Sequence, residues 1–330
     1  VDTSQEAAAL AGLPASLGMR PQALQLTRVH RTTPGRFLPP ALQPAGIITK
    51  ATRLHSTFSQ EGDTLYHRAY IGETLSYIYL PLLPKGEGLF DAVLGEPLAG
   101  TPPARLPQGS RFQPEWQPRF LAALCPRCGW DLDGQGDCLA LTCANCDSVW
   151  HIGPTGLERI PGTVVLGGPD TALYLPFWRI SVVLPSVRIR TFADFIRRTN
   201  QPVVVRKAWE QQAMQFWIPA CKLRPQIFLR TAGQITISQW RLNQEHALRV
   251  MPNLHPVTLP LDEARQALKV VLASASLHKR SVYPALPGLR PENRAASLVF
   301  LPFIDRYHDW VQVQSGTVIA KSVLRFGQHL

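Results

Sequence analysis

Four of the six cysteines fall into two pairs of equal spacing, Cys125-Pro126-Arg127-Cys128 and Cys143-Ala144-Asn145-Cys146, with fourteen residues between them. A two-residue gap lets both sulfurs of a pair point at one ion from a tight turn, and Zn²⁺ is well served by four thiolates in a tetrahedron. Gly129 follows the first pair, where such a turn needs positive φ. Asn145 and Asp147 flank the last cysteine with further turn chemistry. The spacing predicts one structural zinc held by Cys125, Cys128, Cys143 and Cys146. Four thiolates close the coordination shell and leave no position for a reactive water, so the ion is expected to hold the fold and not to catalyse. Iron in the same four sulfurs, or two redox-active dithiols, are the competing readings.

Cys138 lies five positions before Cys143, the wrong spacing for a ligand pair, and reads as a buried strand thiol. His151 is a spare ligand type beside a complete set. Cys221, next to Lys222, is the one candidate nucleophile, since a neighbouring cation lowers a thiol pKa. A buried structural cysteine is the commoner case. The sequence has no glycine-rich phosphate loop, no His-Glu-x-x-His and no Gly-x-Ser-x-Gly. An enzyme with a site assembled from distant residues stays open as an alternative.

Cys125-Pro126-Arg127-Cys128-Gly129 with Cys143-Ala144-Asn145-Cys146 resembles a zinc ribbon of the four-cysteine, rubredoxin-like kind. The resemblance covers about forty residues, on the order of a minimal ribbon. It implies a fold and a metal and no activity. The Tyr-Leu-Pro-Phe-Trp phrasing of residues 174–178 also resembles that of uncharacterised bacterial zinc-ribbon proteins, again with no activity implied.

Arginine and lysine exceed aspartate and glutamate by 34 to 23, a net charge of +11, which favours anionic partners: nucleic acid, acidic protein or lipid head groups. The ribbon itself is acidic, with Arg127 against Asp131, Asp133, Asp137 and Asp147, and is a poor phosphate grip. The positive charge concentrates in residues 179–230, where Arg188, Arg190, Arg197, Arg198, Arg206, Lys207, Lys222 and Arg224 are candidate contacts for an anion or partner. Phe192, Phe195, Trp209, Phe216, Trp217 and Phe228 are interleaved, an arrangement that could hold a single strand by phosphate contact and base stacking. The same aromatics could equally form the core beneath a solvated cationic face.

Elements must position these groups. Thirty prolines in 330 residues exceed the usual share of about 5% and disfavour long helices. Residues 1–45 read as an extended proline-rich arm, 46–118 as a β-rich domain with a linker, 119–160 as the ribbon and 161–330 as an α+β domain. Tyr77-Ile78-Tyr79-Leu80 is the clearest strand of the second segment. Thr191-Phe192-Ala193-Asp194 reads as a capping box opening a helix that ends before Asn200-Gln201-Pro202. A second helix begins at Pro260-Leu261-Asp262-Glu263, with Leu261, Ala264, Leu268, Val271, Leu272 and Ala275 on one stripe. An aromatic–aliphatic–proline–apolar motif recurs at residues 79–82, 174–177, 217–220 and 300–303. The first and last copies share further residues, so a degenerate duplication of a β unit is expected. Because proline removes a ladder donor, edge or bulged strands are expected to carry the motif.

The fold class expected is α+β: mostly short antiparallel strands, a few helices and a four-cysteine ribbon. The expected function is a zinc-binding, non-catalytic binding or assembly subunit with protein partners; a nucleic-acid-binding protein is the alternative. No signal peptide or membrane-length apolar run is visible, and two leftover thiols suit a reducing compartment, so the cytoplasm is the expected location.

Overall fold

A computed structural model describes residues 27–38, 46, 65–72, 78–86, 88–97, 109–113, 120–153 and 156–327. Most of the expected arm and of the linker at 99–118 lies outside the described residues. The chain forms two compact units: Val1–Thr64 with Leu75–Phe120, and Leu65–Thr74 with Leu121–Leu330. Among the described residues there are twelve strands, mostly antiparallel, and five helices, an α+β fold as expected. No helix among them is long and apolar enough to cross a membrane.

The first unit contains a hairpin of β1 (Leu82–Lys85) and β2 (Gly88–Asp91). The strand expected at 77–80 is not formed by its described residues, Ile78–Leu80: regular pairing begins only after Pro81. Tyr79 instead packs edge-on against Phe37 and Phe112, at 5.1 and 6.0 Å between ring centres.

The second unit contains a three-stranded sheet of β3 (Ala140–Cys143), β4 (Ser148–Gly153) and β5 (Gly156–Ile160). It also contains a seven-stranded sheet built on two long strands, β7 (Leu173–Val183) and β10 (Glu292–Arg306). One edge of β10 pairs with β7 from Glu292 to Phe303. Its other edge is shared between β6 (Gly162–Val165), parallel at 298–300, and β11 (Asp309–Gln312), antiparallel at 304–306. β12 (Thr317–Ala320) extends β11, β9 (Glu245–Ala247) extends β6, and β8 (Gln215–Pro219) extends β7. The core is aromatic: Phe177, Phe192, Phe195, Phe216, Phe300 and Phe303 are fully buried.

Three motif copies lie side by side here, in β10, β7 and β8. Edge or bulged strands were expected, and only Pro219 on β8 sits in an edge strand; Pro176 and Pro302 lie in the interior strands, away from the one bulge of that pair at 293–295. Each interior proline falls where the ladder asks nothing of it. Successive residues of a strand face alternate edges. Leu298 donates toward β6, to the Pro161 carbonyl (2.9 Å), so Pro302 faces the same edge, past the last β6 pair and before the first β11 pair. Pro176 faces β8 and accepts from Ala220 N–H (2.9 Å). The Ala220 carbonyl, which a non-proline residue at 176 would serve, accepts from Thr258 and Leu259 N–H instead, both at 3.0 Å.

The first and last motif copies share a backbone plan in which equivalent positions differ by 221, as Tyr79 and Phe300 do. β2 and β11 occupy equivalent residues, and the pair Leu83–Phe90 matches Ile304–Val311. Gly86 and Tyr307 both turn with positive φ (61° and 56°). After each hairpin a buried side chain, Asp91 or Gln312, accepts N–H groups of the following turn, and a glycine at φ 73° or 72° closes it.

Five helices complete the second unit. The capping box is present at α1 (Phe192–Arg198): Asp194 N–H donates to Thr191 Oγ1 (3.1 Å) and Thr191 N–H to Asp194 Oδ2 (3.0 Å). α2 (Pro225–Ser238) packs on β8 and caps its open edge, Thr236 Oγ1 accepting from Trp217 N–H at 3.0 Å. α3 (Leu261–Ala275) buries Ala264, Leu268, Val271, Leu272 and Ala275 of its expected stripe; Leu261 is half-buried. Two short helices, α4 (Lys279–Val282) and α5 (Lys321–Gly327), follow.

Candidate metal centre

Two turns of the same design bring the cysteines together. In the first, Gly129 N–H donates to the Cys125 carbonyl (2.8 Å) and Cys125 N–H to the Trp130 carbonyl (2.7 Å). In the second, the β3–β4 hairpin closes with Cys143 opposite Ser148. The residue after the second cysteine of each pair, Gly129 or Asp147, is left-handed (φ 74° and 51°). That conformation is free for glycine and tolerated by aspartate.

The four sulfurs all lie within 4.8 Å of one another. The close approaches join the two turns: Cys125 to Cys146 at 3.6 Å and Cys128 to Cys143 at 3.5 Å. A zinc–sulfur bond of about 2.3 Å makes the tetrahedral edge about 3.8 Å, so the cluster fits one such ion.

The turns also supply donors to the sulfurs. Burial pushes the Cys125 thiol up, but the nearby Ser148 hydroxyl and the Arg127 and Cys128 N–H groups outweigh it and hold it at about 6. The Asn145 side chain and Trp130 N–H lower Cys128. Burial dominates at Cys143, which is fully enclosed and pushed up to about 12 despite the Cys146 and Asn145 N–H groups. Such a thiol loses its proton to solvent when a cation binds its sulfur, which couples metal binding to proton release.

The three-stranded sheet with its two cysteine turns, a ribbon in outline, has two faces. Cys125, Leu132, Cys143 and Trp150 form a small core of their own around the sulfurs. Ala140, Val149 and Ile160 point the other way and belong to the main core. Two hydrogen bonds tie the ribbon to the segment before α3: Val250 N–H to Asp147 Oδ1 (2.9 Å) and Leu139 N–H to the Val257 carbonyl (2.7 Å).

The other candidates separate clearly. His151 is outside the sulfur cluster and pairs across the strands with Glu158 (3.3 Å). Cys138 is half-buried in the loop before β3, not in a strand as expected, because Gly134 leaves room for its sulfur there. Cys221 is enclosed in the core and its thiol is pushed up to about 12 by burial, which leaves it no nucleophilic thiolate at neutral pH. Phe192, Phe195, Trp209, Phe216, Trp217 and Phe228 are all buried, so they are core and not a stacking platform.

Arg188, Arg190, Arg197, Arg198, Arg206 and Lys207 are exposed on α1, the turns before it and the short helix beside it. Arg197 pairs with Glu210, and Arg206 lies over the Trp240 ring at 4.4 Å. Lys222 and Arg224 lie apart in sequence, between β8 and α2. Sequence reasoning missed Ser148 as a support of the site; its only signal is a hydroxyl two residues after Cys146.

No protein-family model matches the chain, and no curated protein or solved structure is significantly similar to it.

Proposed function

We propose that this chain is a zinc-fixed, non-catalytic binding or assembly subunit that meets an anionic protein partner through the cationic face around α1. The observation that carries the zinc reading is the closed set of four sulfurs within 4.8 Å, a donor set suited to Zn²⁺. When bound, the ion would be held by Cys125, Cys128, Cys143 and Cys146 and would supply no reactive water. Its work would be to fix the ribbon against the body. Supporting the partner surface are six exposed cations with Asp194 and Glu210 as local acids, on a chain of net charge +11.

Metal analysis of purified chain should give one zinc per chain. A native pull-down from the source cell should recover a defined partner, and reversing Arg188, Arg190 and Lys207 to glutamate should release it. Recovery unchanged by the reversal would remove the assigned surface.

Nucleic acid is the second reading, and the charge is what favours it. With the aromatics in the core, contact would run through phosphate alone, so retention on a filter should fall steeply with salt and ignore sequence. Absence of retention at low salt for any DNA or RNA would end it.

A further inference from the structure

The geometry points to a side-chain relay, Trp150 to Ser148 to Cys146, that sets how firmly the cluster keeps its metal. This inference rests on the zinc reading above. Ser148 and Trp150 stand two apart on β4 and so share a face, the one turned to the sulfurs. Both are buried, at 2% and 8% exposure. Trp150 Nε1–H donates to Ser148 Oγ at 2.8 Å. An indole nitrogen only donates. The hydroxyl therefore accepts from Trp150 and keeps its own proton to give away. Its neighbours are Cys146 Sγ at 3.0 Å and Cys125 Sγ at 3.6 Å. A metal-bound thiolate has no proton to donate, so the Ser148 O–H must point to sulfur, and Cys146 is the nearer.

This donor differs in kind from the backbone ones. Cys125 takes N–H groups of Arg127 and Cys128, and Cys143 takes those of Asn145 and Cys146, all of which come with the turns. Cys128 takes a side chain too, the Asn145 amide. Cys146 takes a side-chain hydroxyl, held in place by an indole. Four thiolates around a dication leave a net charge of −2 in a partly buried site, and donors to sulfur are what offset it. Ser148 also joins one ligand from each turn, so a single hydroxyl spans the two halves of the site. Ser148 is thus a positioning residue acting through Cys146, and Trp150 acts through Ser148.

The test is zinc and cobalt binding to the full chain by competition with a chromophoric chelator. Removing an outer-shell partner typically costs roughly 10–100-fold in metal affinity. Ser148→Ala should fall in that range and shift the sulfur-to-cobalt charge-transfer band. Trp150→Phe, which keeps an aromatic ring and loses the N–H, should fall by a smaller factor. The double variant should bind no more weakly than Ser148→Ala alone, because the indole has nothing left to orient. Losses that multiply in the double variant, or an unchanged cobalt band in Ser148→Ala, would overturn the relay. Wild-type stoichiometry judges the zinc reading separately: one tight zinc with an affinity indifferent to Ser148 sinks the relay alone, whereas no zinc at all sinks both.

Discussion

Stripping the metal should divide the ribbon along its length, not melt it as a block. The sequence alone suggests that residues 121–160, with little core of their own, unfold together on chelation. The structure changes that expectation, because one face of the ribbon belongs to the main core. On that face Val149 and Ile160 each contribute about 1.5–3 kcal/mol and Ala140 on the order of 0.8 kcal/mol of burial. The tie from Leu139 to Val257 adds roughly 1 kcal/mol, whereas the tie from Val250 ends on the Asp147 turn and goes with it. Together about 5–8 kcal/mol opposes detachment of the three-stranded sheet, an upper figure because an unfolded chain already hides part of that surface. The turns at 125–129 and 143–147 have the small sulfur-lined core and, when bound, the ion; a structural zinc would be worth about 10–16 kcal/mol. Amide exchange followed by mass spectrometry before and after chelation reads both regions. Residues 124–132 and 143–147 should lose nearly all protection. Val149–Ile152 and Leu157–Ile160 should keep roughly a thousandfold or more, at 1.4 kcal/mol per decade. Uniform exchange across 121–160 would refute the reasoning, and so would no change in the turns.

Two further outcomes follow from single groups. His255 is 8% exposed, and burial holds its imidazole below the ordinary range, partly countered by the Pro256 carbonyl. The unfolded chain takes up that proton near pH 6.5 and the folded chain only at lower pH, so stability is whole above 6.5 and falls as pH drops below it. Denaturant midpoints between pH 7 and 6 should slope less in His255→Leu than in wild type, and equal slopes would contradict the assignment. Arg179 pairs with Glu245 at about a quarter exposure each, and also donates to Ser297 Oγ. Arg179→Met should cost about 1–3 kcal/mol, less than a fully buried pair, with part of the loss recovered by adding Glu245→Gln. A midpoint unchanged in the single variant would show that the pair contributes nothing.

What could be read in advance was local. The cysteine spacing, the capping box at Thr191 and the stripe of α3 each follow from a few neighbouring residues, and each is present. α2 was missed because Ile227, Thr231, Ile235, Thr236 and Ile237 are β-branched and read against a helix; burial against β8 overrides that preference. Pro225 at its first turn was the available signal. The interior prolines were misplaced because their tolerance depends on what the facing strand does two residues later. The aromatics of 179–230 show the same limit. Composition places them among arginines, and only the tertiary fold sends the rings inward and the cations out.

The two-faced ribbon also bears on the order in which the protein is made. Chains emerge from the ribosome amino end first. The four cysteines are complete by residue 146, and the metal can bind soon after. The partners of the ribbon's other face come much later: Leu248, Val250, Val257 and then β10, whose pairing with β6 joins Leu298 to Gly162. For the time it takes to synthesise roughly a hundred residues, at about 5–20 per second, a segment with all four cysteines made stands with Ala140, Val149 and Ile160 uncovered. The nascent chain thus passes through several seconds in which a complete set of metal ligands carries an unfinished apolar back.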